Sequence, residues 1–284
     1  IYTLDLGSGD VKRISPGLGK TTCSFFRPGS DEILFSSTHH DPKSKQYQED
    51  ELAFRASGKE RRYSWDYDPE MDIYAYSEKG GSLKRLTNAR GYDAEGSYSP
   101  DGQWIAFSSM RDAYNRALSD KEKKALEENP SYFAEIYIMR ADGSGQKRLT
   151  NVPGYDGGPF FTHDGTHIVW RRFDELGLLA DVWTMKLDGS EAKQITDFGS
   201  MSWAPYEHPS GKYFIFASNK LGFENFELFI VDAEGTKEPV RVTYTDGLDG
   251  LPVPSPDGTQ LAWTSSRARG SDGQLFLAQS NHQK

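Results

Sequence analysis

An all-β fold built from repeated four-stranded antiparallel sheets is what this sequence predicts, and three observations carry the expectation. One hairpin recurs five times along the 284 residues, an acid- or amide-led strand follows each copy, and a short strand ending in Thr closes four of them. Four antiparallel strands per repeat is the blade of a β-propeller.

The hairpins, whose strands are called a and b here, lie at 25–37 (FFRPGSDEILFSS), 98–109 (YSPDGQWIAFSS), 161–172 (FTHDGTHIVWRR), 208–219 (HPSGKYFIFASN) and 254–266 (PSPDGTQLAWTSS). Asp101-Gly102, Asp164-Gly165 and Asp257-Gly258 supply the positive φ that a tight hairpin turn needs. Each is followed by large apolar residues alternating with small ones, the pattern of a strand buried between layers. Strand c follows as Asp72-Ile73-Tyr74, Glu135-Ile136-Tyr137, Asp181-Val182-Trp183, Glu227-Leu228-Phe229 and Gln274-Leu275-Phe276. Strand d follows four of these at 84–87 (KRLT), 147–150 (KRLT), 193–196 (KQIT) and 240–243 (VRVT).

The turn glycine serves as a ruler. Gly165 to Gly211 is 46 residues and Gly211 to Gly258 is 47, but Gly102 to Gly165 is 63 and Ser30 to Gly102 is 72. The excess falls between strands b and c, in insertions at 38–71 and 110–132. The second insertion predicts a short helix, because Ser119 with Glu122 forms a capping box and Asn129-Pro130 stops the run. Residues 1–6 read as a further strand c and 11–15 as a further strand d. With six c strands, five d strands and five a–b hairpins, the count predicts six blades. One d, one a and one b would then lie upstream of Ile1. A five-bladed ring is the alternative, and it leaves one strand c without a place.

Repeats of the form SPDG-x-x-(I/L)-A-(F/W)-x-S, then (D/E)-I-Y and KRLT, resemble the TolB-like propeller repeat over essentially the whole chain. Arg27-Pro28-Gly29-Ser30 and His208-Pro209-Ser210-Gly211 are degenerate copies. The resemblance implies one propeller domain over 1–284, a periplasmic or secreted location, and binding of protein partners of the bacterial cell envelope. Similar propellers accompany prolyl-oligopeptidase-type hydrolases and zinc aminopeptidases, so an accessory domain that gates or docks substrate is the alternative. Oligogalacturonate lyase shares the repeat too, but its channel histidines have no counterpart in the d–a loops here. A propeller using channel carboxylates as acid and base is a third, weaker reading. Fold follows from the resemblance; function has to be argued from the site.

Composition narrows the partners. A net charge of −9 argues against a nucleic-acid backbone, which needs a basic surface. A single cysteine, Cys23, excludes a disulfide framework. No run approaches the roughly 20 apolar residues of a membrane span. Ile1 stands inside a strand-like run, so any export signal is expected upstream.

Long loops on a rigid scaffold are where binding resides. Both insertions sit at the b–c end of their blades, with the d–a loops at 17–24, 88–96, 151–158, 197–205 and 244–252. These loops are expected to bring Asp93, Glu95, Asp156, Asp246 and Asp249 to the channel mouth. A carboxylate ring suits a hard cation such as calcium, or a Lys/Arg-rich segment. Aspartates in Gly-rich loops equally cap turns on their own backbone. The first insertion offers His39 and His40 beside Asp41, suited to metal, and Trp65, Asp66 and Tyr67, suited to gripping a peptide or sugar. The same aromatics would also anchor a loop on its own domain. No G-x-S-x-G, H-E-x-x-H or phosphate-cradling loop occurs, so no catalytic centre is nominated.

Overall fold

The computed structural model describes residues 1–61, 65–268 and 273–280. It comprises two compact units, residues 1–98 with 102–147, and residues 99–101 with 148–284.

The first unit opens with β1 (Tyr2–Leu4) and β2 (Val11–Arg13), which form a two-stranded sheet. The first blade is β3 (Thr21–Phe26), β4 (Glu32–Ser37), β5 (Asp72–Ser77) and β6 (Ser82–Arg85). The second is β7 (Asp93–Tyr98), β8 (Trp104–Ser109), β9 (Glu135–Arg140) and β10 (Lys147–Arg148). Strands c and d of the first blade, through Ile73 and Ala75 and the Leu86 that follows, pack on Ile105, Phe107, Tyr137 and Met139 of the second. Gly143 turns the second blade's c–d hairpin so close over the first that a Cβ there would lie 2.7 Å from the Leu86 carbonyl oxygen. Only glycine fits that approach at its φ of 90°.

The second unit holds three blades. They are β11 (Asp156–Phe161) to β14 (Lys193–Gln194), through β12 (His167–Phe173) and β13 (Ala180–Lys186); β15 (Ser202–Glu207) to β18 (Val240–Arg241), through β16 (Tyr213–Ser218) and β17 (Glu227–Asp232); and β19 (Asp249–Pro254), β20 (Gln260–Ser265) and β21 (Gln274–Gln279). Val182 and Ile195 of the third blade pack on Phe214, Phe216, Phe229 and Val231 of the fourth. Leu228 and Ile230 of the fourth meet Leu261, Trp263 and Phe276 of the fifth.

The chain therefore forms five blades, and the expectation of six is corrected. A blade needs an a–b hairpin to carry its outer strands, and the chain has five. Strands β1 and β2 pair with each other alone among the described residues, with Ile1 and Ile14 packed on Ile33, Phe35 and Tyr74 of the first blade.

Strand a starts earlier than predicted in every blade, so the last three or four residues of each expected d–a loop are sheet. DAEGSY, DGGPFF and DGLPVP lack the β-branched run that signals a strand. They also carry a bulge: the a–b register shifts in all five blades. The third residue of each strand a is left-handed, at Cys23 (φ 45°), Glu95 (59°), Gly158 (59°), Ala204 (51°) and Leu251 (55°). Four of the five are not glycine, so the bulge is held by the surrounding sheet against local preference.

Strand d is short because its Thr leaves the ladder. Thr87, Thr196 and Thr243 use the hydroxyl, at 2.9 Å each, to accept the N–H of Ile73, Val182 and Leu228. The same hydroxyls donate to Asp72, Asp181 and Glu227. Arg85 and Arg241, or Gln194, bond the same acids and reach the Thr carbonyl. The acid of strand c and the Arg/Gln-x-Thr of strand d are thus one closed hydrogen-bond unit.

The first insertion contains a helix the sequence did not announce, α1 (Ser44–Ala56). Its N-cap, Lys43, makes no side-chain cap bond, so the start signal is missing. The second insertion holds α2 (Arg111–Asn115) and the expected α3 (Asp120–Glu128), with both capping-box bonds between Ser119 and Glu122 in place. Pro130 then opens a 3-10 turn. Among the described residues no helix is long and apolar enough to cross a membrane.

Candidate functional site

Asp93, Asp156 and Asp249 each open strand a of their blade and are buried. Each is clamped by an arginine from the end of its own strand b or just beyond. Arg172 donates Nε and an NH2 to the two Asp156 oxygens at 2.7 Å each. Arg267 reaches Asp249 at 2.7 Å, and Arg111 grips both oxygens of Asp93. The guanidinium stacks on the aromatics of strands b and c: Arg111 on Phe107 and Tyr137, Arg172 on Trp170 and Trp183, Arg267 on Trp263 and Phe276. Complete burial pushes the Asp93 carboxyl up to about 6, against the opposing pull of Arg111 and Ser109, so the clamp is ionised at neutral pH.

These bonds engage much of the expected acidic mouth. Three of its carboxylates are neutralised by arginine within their own blades. Glu95, the left-handed bulge residue of β7, is buried. Asp246 alone of the five lies exposed in a d–a loop. Among the described residues no three His, Cys, Asp or Glu side chains gather as a metal site.

The two remaining blades have no carboxylate at that position, and in the fourth Lys220 lies 3.9 Å over Phe198. In the fourth, Ser202 stands in the acid position and Phe198 covers Phe216 and Phe229, at 5.9 and 5.4 Å, where a guanidinium lies elsewhere. In the first, Thr21 takes the acid position and His39 the arginine position. The His39 ring lies 4.3 Å from Tyr74 and its Nδ1 is 2.9 Å from Ser37 Oγ. Burial, then the charges of His40 and Arg85, push His39 down to about 4, so it is neutral at pH 7. His40 stacks on the same Tyr74 and meets its hydroxyl at 2.8 Å. The two histidines are thus brought together on a tyrosine.

The aromatic–acid segment sits on the same blade. Lys20, one residue before β3, bridges Asp66 at 2.6 Å and Asp68 at 2.8 Å. Burial works against its charge, but the bonds to Asp66 and Asp68 outweigh it and hold the ammonium above its ordinary value. Lys20 also lies 5.8 Å over Tyr47 of α1. Trp65 donates its indole N–H to the Tyr92 hydroxyl at 2.8 Å, and Tyr67 meets the Tyr92 ring edge-on at 5.3 Å. Trp65 nonetheless remains 38% exposed. Lys20 and the three arginines escaped the sequence reading, although Arg111 and Arg267 share a visible signal, each lying 18 residues beyond its aspartate.

No family model matches the chain. A TolB homolog of Chlorobium luteolum is 27% identical over 35% of this chain and 28% of its own length, so the chain spans well under two thirds of that relative. Among solved structures, a putative TolB from Agrobacterium tumefaciens superposes with a TM-score of 0.68 at 17% identity, covering 97% of this chain and 83% of that one. The chain has the TolB-like β-propeller fold. TolB from Acinetobacter baumannii superposes with a TM-score of 0.69 at 19% identity, covering 98% of this propeller and 56% of that chain.

Proposed function

We propose that this TolB-like propeller is a non-catalytic binding protein of the bacterial envelope, and that the b–c end of its first blade docks a protein or peptide. One observation carries the reading: Trp65 is exposed yet pinned by Tyr92, beside a Lys20 bridged by Asp66 and Asp68. A preorganised aromatic next to fixed charges is what a protein contact uses, since little ordering entropy remains to be lost on binding. Tyr67, edge-on to the same Tyr92, adjoins Trp65. The envelope location and the protein partner rest on the resemblance to TolB.

The test is selection of binding peptides from a random displayed library against the 284-residue chain. Selected peptides are expected to lose about tenfold in affinity on Trp65→Ala or Lys20→Ala. Affinity unchanged in both variants, or turnover of peptide, ester or pectate by the purified chain, would overturn the proposal.

A further inference from the structure

Two short b–c loops of the second unit display an apolar edge. Leu176-Gly177-Leu178 tips the loop of the third blade and Leu221-Gly222-Phe223 that of the fourth. Leu176 is 76% exposed, Leu178 60% and Phe223 70%, with Leu179 and Leu221 also exposed. Large apolar side chains grouped outside a core mark an interaction surface more than chance exposure does.

Both tips are rigid. Asp174 Oδ1 accepts the N–H of Leu178 at 2.7 Å and of Leu179 at 2.9 Å, while the Asp174 N–H donates to the Leu179 carbonyl. Asn219 performs the same task in the fourth blade. Its carbonyl accepts the Gly222 N–H at 3.0 Å, and its Nδ2 donates to the Phe223 carbonyl at 3.3 Å. The loop bases are adjacent. Ala180 N–H bonds the Ser200 carbonyl at 3.2 Å, and Asn219 N–H bonds that of Met201, the next residue, at 3.2 Å. The two tips therefore rise side by side from one pair of blades. Glu175 and Glu224 are exposed within them, on a chain of net charge −9.

We infer that these two loops form one docking edge for a protein segment carrying large apolar side chains flanked by lysine or arginine. The apolar tips supply the buried contact, and the glutamates select basic flanks over acidic ones. The rigidity of the tips favours a protein over a bilayer, which has no use for a fixed spacing of side chains. The inference rests on the general reading of a binding propeller and concerns a surface separate from Trp65.

The probe is an amphipathic Leu/Lys peptide, with a Leu/Glu peptide of the same pattern as control, titrated against the full chain. Leu178→Ser with Phe223→Ser is expected to weaken Leu/Lys binding about tenfold or more. Leu176→Ser should weaken it by less, and Leu52→Ser, at an exposed site on α1, should leave it within twofold. Glu175→Gln with Glu224→Gln should weaken it and flatten its salt dependence. Wild-type melting temperatures in all variants would establish that the fold is intact. Unchanged affinity in the Leu178/Phe223 variant, or equal binding of the Leu/Glu peptide, would overturn the inference. So would tip-dependent binding to zwitterionic vesicles without peptide binding, or tip-dependent self-association in sedimentation. Loss here with Trp65 dependence intact would leave the first-blade reading standing.

Discussion

Both oxygens of Asp156 are held by Arg172, through Nε and NH2 at 2.7 Å each, and the guanidinium packs against two neighbouring tryptophans, Trp170 and Trp183. The pair is buried, and breaking it leaves one charge uncompensated. Asp156→Asn or Arg172→Met is therefore expected to cost about 3–5 kcal/mol in urea unfolding. The double change Asp156→Asn with Arg172→Met removes both charges together. It should cost less than the sum of the single changes. Strict additivity would show the pair to be uncoupled.

The Thr of strand d accepts one hydrogen bond and donates another. Thr196→Val leaves the Val182 N–H and one Asp181 oxygen without their partner, at an expected cost of about 1–3 kcal/mol. Thr196→Ser keeps both bonds and should stay within about 0.5 kcal/mol of the wild type on the scale of ordinary mild substitutions. Equal losses in the two variants would assign the effect to packing of the methyl group instead.

His39 makes stability depend on pH. Its folded pKa, about 4, lies below the ordinary 6.5, so the unfolded chain binds the proton first as pH falls. The stability it contributes is complete above about pH 6.5 and declines towards pH 4. Asp93 acts in the opposite sense, because its folded value of about 6 lies above the ordinary 3.8. The telling quantity is thus the difference between the wild type and His39→Gln. That difference should move in favour of the variant as pH falls from 6.5 to 4, and a flat difference would exclude His39 as a source.

The strand-a bulge makes a prediction of its own. Leu251 is exposed with φ at 55°, a conformation that disfavours side chains by about 1–2 kcal/mol. Leu251→Gly should relieve that strain and leave the chain as stable or up to about 1 kcal/mol more stable, after the greater entropy of an unfolded glycine. Val253→Gly, two residues on in ordinary strand geometry, should destabilise. Loss of stability at Leu251 comparable with that at Val253 would show that the bulge carries no strain.

Several features were legible because they are local. Asp101, Asp164 and Asp257 cap their turns with Ser99, Thr162 and Ser255, and Ser119 with Glu122 caps α3. The acid of strand c and the Thr of strand d were visible as a recurring pair, though not as bonded partners. The candidate site was less legible. Asp93 and Asp249 looked like loop carboxylates because Gly-rich strands resemble loops, and their arginines arrive only when strands a and b align. Lys20 meets Asp68 from 48 residues away, across an insertion of no fixed period.

What the amino-acid order determined by itself is the repeat: turn residues, strand alternation and caps act over a few positions, where chain geometry leaves few alternatives. Only the tertiary structure decided the blade count, the left-handed bulges and which charges are spent within a blade. Those depend on register and burial, and a carboxylate's role changes from ligand to framework once a buried cation is brought within hydrogen-bonding distance.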